Sequence, residues 1–357
     1  MLFKQASKIL FLIIFVVIFF KILFFALVKL NFLNFIFSGS SDADYYNNYA
    51  LGYVDDAVNI WPVILNKLNF FGLYSRDFIS FILFLLNLLI IPLIACKLAN
   101  LQFNIEQKYF LSLFFICLLY PTLYFYTFDI YRDVFMVFCF LLACSFVKFS
   151  IYTNNFLLKY FYFFISFLFG FFLFELREYL GYAFWGAMFL YHIKLTKKRT
   201  VLFFISYMLI LFIFNYLGFF KSLTDYRTGF EDYSGGSTLG LDFSNPIMFI
   251  PNFLLSILGQ LFGLYITNPS AILLLVIETL PFIYMLFYIL NNIGFADKFV
   301  RFLLIFFVLY ASVWLIGNDN LGTAIRLRMY NYFAIYICFF YIIKIKEANI
   351  FEQVIKK

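Results

Sequence analysis

Charge is what this sequence lacks most: Asp, Glu, Lys and Arg make up 13% of its 357 residues, where a soluble domain carries about a quarter. A soluble globule is excluded on that ground. Histidine is nearly missing, since His192 is the single imidazole. A zinc or haem site built on two or more histidines is therefore excluded, and a Ser-His-Asp triad has little to stand on. The five cysteines, Cys96, Cys117, Cys139, Cys144 and Cys338, all lie in or at the end of apolar runs. They read as small buried residues, with no CxxC metal motif and no disulfide framework. No internal repeat or low-complexity tail is visible. The first apolar run lacks a small-residue cleavage site and is too long for a signal-peptide core, so it is expected to remain as a membrane span.

What the sequence has is apolar length: 65% of residues are hydrophobic, 25% aromatic, and the mean hydropathy is +0.95. Apolar runs lie near 9–30, 78–98, 109–126, 134–151, 157–174, 179–193, 201–220, 270–291, 299–316 and 329–345. Most approach the ~20 residues that carry a helix across a ~30 Å hydrocarbon layer. The fold class expected is an all-α polytopic membrane protein of about ten transmembrane helices, residues 1–357 forming one integral membrane domain. The stretch 247–266 is also apolar enough to cross, which would make eleven. Crossing there would invert every later loop, and Pro246, Pro251, Gly259, Gly263 and Pro269 suit a re-entrant or interfacial segment better.

Lys4 and Lys8 place the N-terminus inside, and alternate loops then sort the charges. Sixteen of the 26 Lys and Arg fall inside, eight outside, and Lys21 and Lys29 within the first run, while fourteen of the nineteen acids fall outside. Both termini are thus expected in the cytoplasm. His192 closes its run on the inner side beside Lys194, Lys197, Lys198 and Arg199 and reads as an interfacial residue. Glu278, inside a run and three residues before Pro281, is expected to face the bundle interior, lining a pathway or meeting a partner.

The polar chemistry gathers on the outer face. The first external loop, about 38–77, carries Asp42-Ala43-Asp44-Tyr45-Tyr46, Asp55-Asp56 and an amphipathic stretch after Trp61-Pro62. Two short helices on the membrane surface are expected here. Asp42 and Asp44 can bind a divalent cation, take a proton from a sugar hydroxyl, or simply cap a helix. Two brief external turns hold Asp129-Ile130-Tyr131-Arg132-Asp133 and Glu175-Leu176-Arg177-Glu178. Helical spacing puts Asp129 with Asp133, and Glu175 with Glu178, on shared faces, a setting for a general base or for ion clusters that anchor helix ends. A long external loop, about 221–247, holds Arg227, Glu231 and Asp232, then Ser234-Gly235-Gly236-Ser237, and can serve as a lid. Arg326 and Arg328 enter the last run. Six arginines stand outside against two lysines, and guanidinium forks suit phosphate oxygens. Pairing with the acids is the alternative use of these arginines.

This layout resembles the O-antigen and exopolysaccharide polymerases (Wzy-type membrane proteins), broadly within the GT-C glycosyltransferases. The resemblance covers most of the chain. It rests on the span number, Asp42-Ala43-Asp44-Tyr45-Tyr46 before surface helices, Tyr131-Arg132-Asp133 opening a run, Leu176-Arg177-Glu178, the late loop and Arg326-Leu327-Arg328. The resemblance implies a polymerase of undecaprenyl diphosphate-linked oligosaccharide repeat units for O-antigen, capsule or exopolysaccharide. Such a protein lies in the bacterial inner membrane with its active face periplasmic or extracellular, and it works with lipid-linked glycans and a chain-length regulator, not with nucleic acid. By analogy Arg132, Arg177, Arg227, Arg326 and Arg328 hold substrate, and Asp42, Asp44, Asp129 or Glu175 activates the acceptor hydroxyl. No metal or cofactor is expected. Related ligases commonly use an external histidine, which this chain lacks, and that favours a carboxylate base. The alternatives are a GT-C transferase adding one sugar from a polyprenyl phosphate, and a flippase of lipid-linked oligosaccharide.

Overall fold

The structure, a computed structural model, describes residues 2–33, 41–229 and 237–355. Helix dominates, and among the described residues strand pairing is confined to one isolated bridge between Thr238 and Asn320. The chain divides into two compact units, Met1–Gly181 and Tyr182–Lys357.

Unit 1 begins with α1 (Leu2–Lys29), followed by two short helices, α2 (Ser41–Ala50) and α3 (Ile60–Phe70). Then come α4 (Arg76–Leu98), α5 (Gln107–Leu119), the single turn α6 (Pro121–Phe125), α7 (Arg132–Tyr152), α8 (Phe156–Leu176) and the start of α9 (Glu178–Leu190). Side-chain caps set several starts: Asn59 accepts from the Trp61 N–H, Ser75 from Phe78 and Asn155 from Leu158. α8 packs along α7, while α4 lies against α5 and α7. Val134, Met136, Val137, Phe140, Leu141, Ala143 and Cys144 of α7 are fully buried. Between lipid-bathed helices such burial stabilises by close dispersion contact rather than by release of water. α3 is pinned by Trp61, whose indole N–H donates to the Ile130 carbonyl at 2.8 Å and whose ring lies 4.9 Å from that of Phe135.

Unit 2 contains the rest of α9, then α10 (Lys197–Tyr216), α11 (Lys221–Thr228), α12 (Pro246–Leu261), α13 (Pro269–Asn291), α14 (Lys298–Gly317) and α15 (Leu321–Ile355). Its centre is α15, buried without a break from Leu327 to Ile342. Such all-round burial suits a stretch that is apolar apart from Arg328 and Asn331. α10 is the opposite case, with Leu211 its one buried residue.

Among the described residues seven helices (Ser7–Lys29, α4, α7, α8, α10, α13 and α14) are long and apolar enough to cross a membrane, which gives the chain a multi-pass transmembrane character. Each of the ten apolar runs falls on helix; α5 and α9 are the short ones at 13 residues each, and α15 mixes charge into its 35 residues. The exposed faces of α1, α8 and α10 carry large apolar side chains such as Phe15, Phe164 and Phe204, as a lipid-facing surface should. Among the described residues three helices contain a π-turn, at Leu86–Ile90 in α4, Ile257–Leu261 in α12 and Leu275–Thr279 in α13. Each π-turn carries a buried polar residue: Asn87, Gln260 and Glu278, in chain order. The wider turn frees backbone carbonyls that must find donors elsewhere, which is why π-turns gather where a side chain is being aimed.

Candidate functional site

In unit 1 the carboxylates do not gather as helical spacing predicts. Asp129 lies in the turn before α7, not on it, because Tyr131 is extended (φ −67°, ψ 139°) and α7 starts only at Arg132. Asp129 and Asp133 therefore share no helical face. Glu175 and Glu178 are parted likewise, since Arg177 is extended (φ −163°, ψ 110°) between α8 and α9. Asp129 instead accepts two bonds from Arg76, at 2.7 and 2.6 Å, and one from the Ile130 N–H at 2.8 Å. The same guanidinium reaches Asp44 at 2.8 Å. Arg76 thus brings together two of the four carboxylate candidates, and sequence reasoning had passed over it. A signal existed: Arg76-Asp77 opens α4 just as Arg132-Asp133 opens α7. Beside this cluster Tyr74 donates to Asn47 Oδ1 at 2.8 Å, and burial pushes its phenol up to about 12. Asp42 is half-buried on α2, and Glu175 is exposed at the end of α8.

A second arrangement ties α7 to the α8–α9 junction. Arg132 donates to the Leu176 carbonyl at 3.0 Å, and Arg177 lies 4.0 Å from Asp133 with both side chains buried. Arg132 is half-buried and pairs with no carboxylate among the described residues. Its charge adds to the amide dipoles at the start of a 21-residue helix.

In unit 2 the charges are enclosed. Arg227 on α11 donates through Nε to the Leu241 carbonyl (2.8 Å) and through Nη1 to those of Leu315, Ile316 and Asn318 (3.1, 3.3 and 2.7 Å). Its Nη2 pairs with Asp319, which also accepts the Gly240 N–H at 2.9 Å. The carbonyls that α14 leaves unbonded at its C-terminus are closed by this cation, where the helix dipole also favours positive charge. Gln260 and Ser256 of α12 finish the same end, donating to the Asn318 and Leu315 carbonyls at 2.8 Å each. Of the loop leading here, Glu231, Asp232 and Ser234-Gly235-Gly236 lie outside the described residues. Asp242 follows that loop, and its carboxyl is held below the usual range by the hydroxyl and N–H of Ser244.

Arg328 meets Glu278 at 3.0 Å, with side-chain exposures of 4% and 0%. This is the interior partner that sequence alone could not name. Around the pair, Tyr332 donates to the Leu261 carbonyl at 2.7 Å and lies 3.2 Å from the Thr279 hydroxyl, while Tyr336 donates to the Glu278 carbonyl at 3.1 Å. The tyrosines of α15 thus supply donors to carbonyls at both π-turns of unit 2. Gly263, at φ +59°, admits the guanidinium: a Cβ there would sit 2.5 Å from Arg328 Nη1. Arg326 is half-buried one turn into α15.

Above this pair α12, α13 and α15 leave a recess of about 320 Å³, with Gln260 and Arg328 at its buried floor and Thr267, Asn268 and Ser270 at its exposed rim. Hydroxyls and side-chain amides line it beside the apolar edges of Leu274 and Leu321. It has the size of a small-molecule site, about 300–1,000 Å³, with convergent polar groups. Among the described residues no three His, Cys, Asp or Glu side chains gather closely enough to hold a metal ion. No family model, curated protein or solved structure matches the chain.

Proposed function

We propose that the protein is a glycosyltransferase of the membrane, polymerising undecaprenyl diphosphate-linked oligosaccharide repeat units into a surface polysaccharide. The observation that carries this reading is the polar recess of unit 2, a site of sugar size lined by hydroxyls and side-chain amides. Arg132 supports it separately, as a cation that pairs with no carboxylate among the described residues, the kind of group that a diphosphate leaving group needs. In the reaction an acceptor hydroxyl gives its proton to a carboxylate, and its oxygen bonds to the anomeric carbon of the donor glycan. The bond from that carbon to the carrier breaks, and undecaprenyl diphosphate leaves with the electron pair on phosphate oxygen. Glu175, exposed at the end of α8, fits the base better than Asp44 and Asp129, whose oxygens are held by Arg76. Arg132 fits the diphosphate better than Arg227, whose donors are directed at protein oxygens.

The membrane arrangement belongs to the same proposal. Ten spans leave both termini cytoplasmic in a bacterial inner membrane, with α2 and α3 on the outer surface and a chain-length regulator as a partner in the membrane. α12 supports a re-entrant segment, because Pro246, Pro251 and the π-turn at Ile257–Leu261 interrupt regular helix. The test is to incubate the purified protein in lipid with undecaprenyl diphosphate-linked repeat units and to separate the products by size. A ladder of multiples is expected, and it should fail in Arg132→Ala. Addition of one sugar from a polyprenyl phosphate, or movement of the intact donor across the bilayer without new bonds, would replace this reading by a single-sugar transferase or a flippase.

A further inference from the structure

We infer that the recess of unit 2 binds an uncharged glycan end and excludes the carrier's diphosphate. The inference rests on the glycosyl-transfer reading and assigns the recess one part of the substrate. Arg328 is the charged group on its lining, and its charge is already met by Glu278 at 3.0 Å in a setting where both side chains are nearly fully covered. A diphosphate brought to this floor would place further negative charge beside a buried carboxylate, at short range and low dielectric, where like charges repel most strongly. The Gly263 backbone also packs close against the guanidinium, since a Cβ there would lie 2.5 Å from Arg328 Nη1.

A sugar makes other demands. Each hydroxyl both donates and accepts, and each ring has an apolar face. Hydroxyls and side-chain amides answer the first demand, since they too act in both senses. Thr267, Ser270 and Asn320 supply such groups around the rim, and Leu274 and Leu321 supply the apolar edge. Asn268 is held in place by its own bonds: its Oδ1 caps α13 through the Ala271 N–H at 2.9 Å and accepts from Ser270 at 2.6 Å, so its amide is pre-set at the mouth. Gln260 is fixed below by the Asn318 carbonyl and Ser256. A polar site whose groups are already oriented loses little entropy when it binds. In this arrangement Arg328 is a positioning residue that ties α15 to α13 through Glu278, and it does not hold phosphate.

The test uses the full-length protein in nanodiscs with two kinds of probe: a panel of lipid-free neutral di- to tetrasaccharides, and inorganic pyrophosphate. Ala271 lines the recess at the first turn of α13 and is half-buried, so Ala271→Trp fills the space, and Ser270→Ala removes one rim hydroxyl. Melting temperatures unchanged from wild type establish that either variant is folded, and Ser270→Ala alone decides if Ala271→Trp does not fold. At least one oligosaccharide is expected to bind, about tenfold more weakly in Ala271→Trp and about threefold more weakly in Ser270→Ala. Pyrophosphate binding is expected to be the same in all three proteins. The inference is overturned if pyrophosphate binding falls with either substitution, if no oligosaccharide in the panel binds, or if oligosaccharide binding ignores both substitutions. Recess-dependent binding without a product ladder would sink the polymerase and leave this inference standing. A ladder with pyrophosphate in the recess would do the reverse.

Discussion

Arg76 in unit 1 and Arg328 in unit 2 each hold a carboxylate at hydrogen-bonding distance, yet the two pairs are different physical objects. Arg76 is about a third exposed, and its partners Asp44 and Asp129 are 52% and 22% exposed. Water and salt reach that cluster, so its charges are cheap to separate and the groups can exchange partners. Arg328 and Glu278 are sealed, and neither ion has water to fall back on. The exposed cluster can take part in chemistry that moves protons. The sealed pair can only hold positions.

Removing one partner from each site separates the two kinds of pair. Arg328→Ala should cost about 3–5 kcal/mol, because it strands the Glu278 carboxylate. Denaturant or thermal unfolding in nanodiscs measures this, and the double substitution Glu278→Leu with Arg328→Met should recover most of the loss. A loss below about 1 kcal/mol for the single variant would put Arg328 in the same class as Arg76. Gly263→Ala should come next, at about 1–3 kcal/mol, since it strains a residue at φ +59° and drives a methyl into the guanidinium. Its melting temperature should fall, and Ala at the exposed Gly294, which meets no atom within 4 Å, is the control.

Arg76→Ala should cost about 1 kcal/mol or less, and its effect should shrink further in high salt while that of Arg328→Ala stays constant. An Arg76 effect that ignored salt would mean that the cluster is sealed too. The smallest effect belongs to Tyr74. Its phenol is raised in the folded state to about 12, above the ordinary value of about 10. Its stabilising contribution is therefore complete below pH 10 and is lost as pH rises toward 12. Tyr74→Phe should abolish that alkaline decline in stability.

Helix positions were legible in the sequence because apolar length is written locally: all ten runs fall on helix, and the broken segment near 247–266 ends at a π-turn. Pairings were not legible, because nothing near Glu278 points to Arg328 fifty residues away, or near Arg227 to Asp319 at a separation of 92. The carboxylate faces were misjudged for a different reason. Helical spacing was extended through Tyr131 and Arg177, where the backbone is extended and the period is interrupted. Arg177 lies near Asp133, and Arg132 reaches the Leu176 carbonyl, because those breaks fold the chain back. That Arg132 meets no carboxylate among the described residues depends on which acids the other arginines claim, a property of the whole unit and not of any motif.

The π-turn in α13 has a consequence for inheritance as well as for geometry. One residue advances an α-helix by about 100°, so the extra residue at Leu275–Thr279 resets the phase between the two halves of the helix. A lineage that lost a single residue there would regain regular α-helix and, in the same event, swing every side chain on one side of the turn by that angle. Asn268, Ser270 and Ala271 lie before the turn, and Phe282, Met285 and Ile289, all buried, lie after it. The rim of the recess and the core beneath it are thus set by one dial, and relatives of this chain should keep or lose both together.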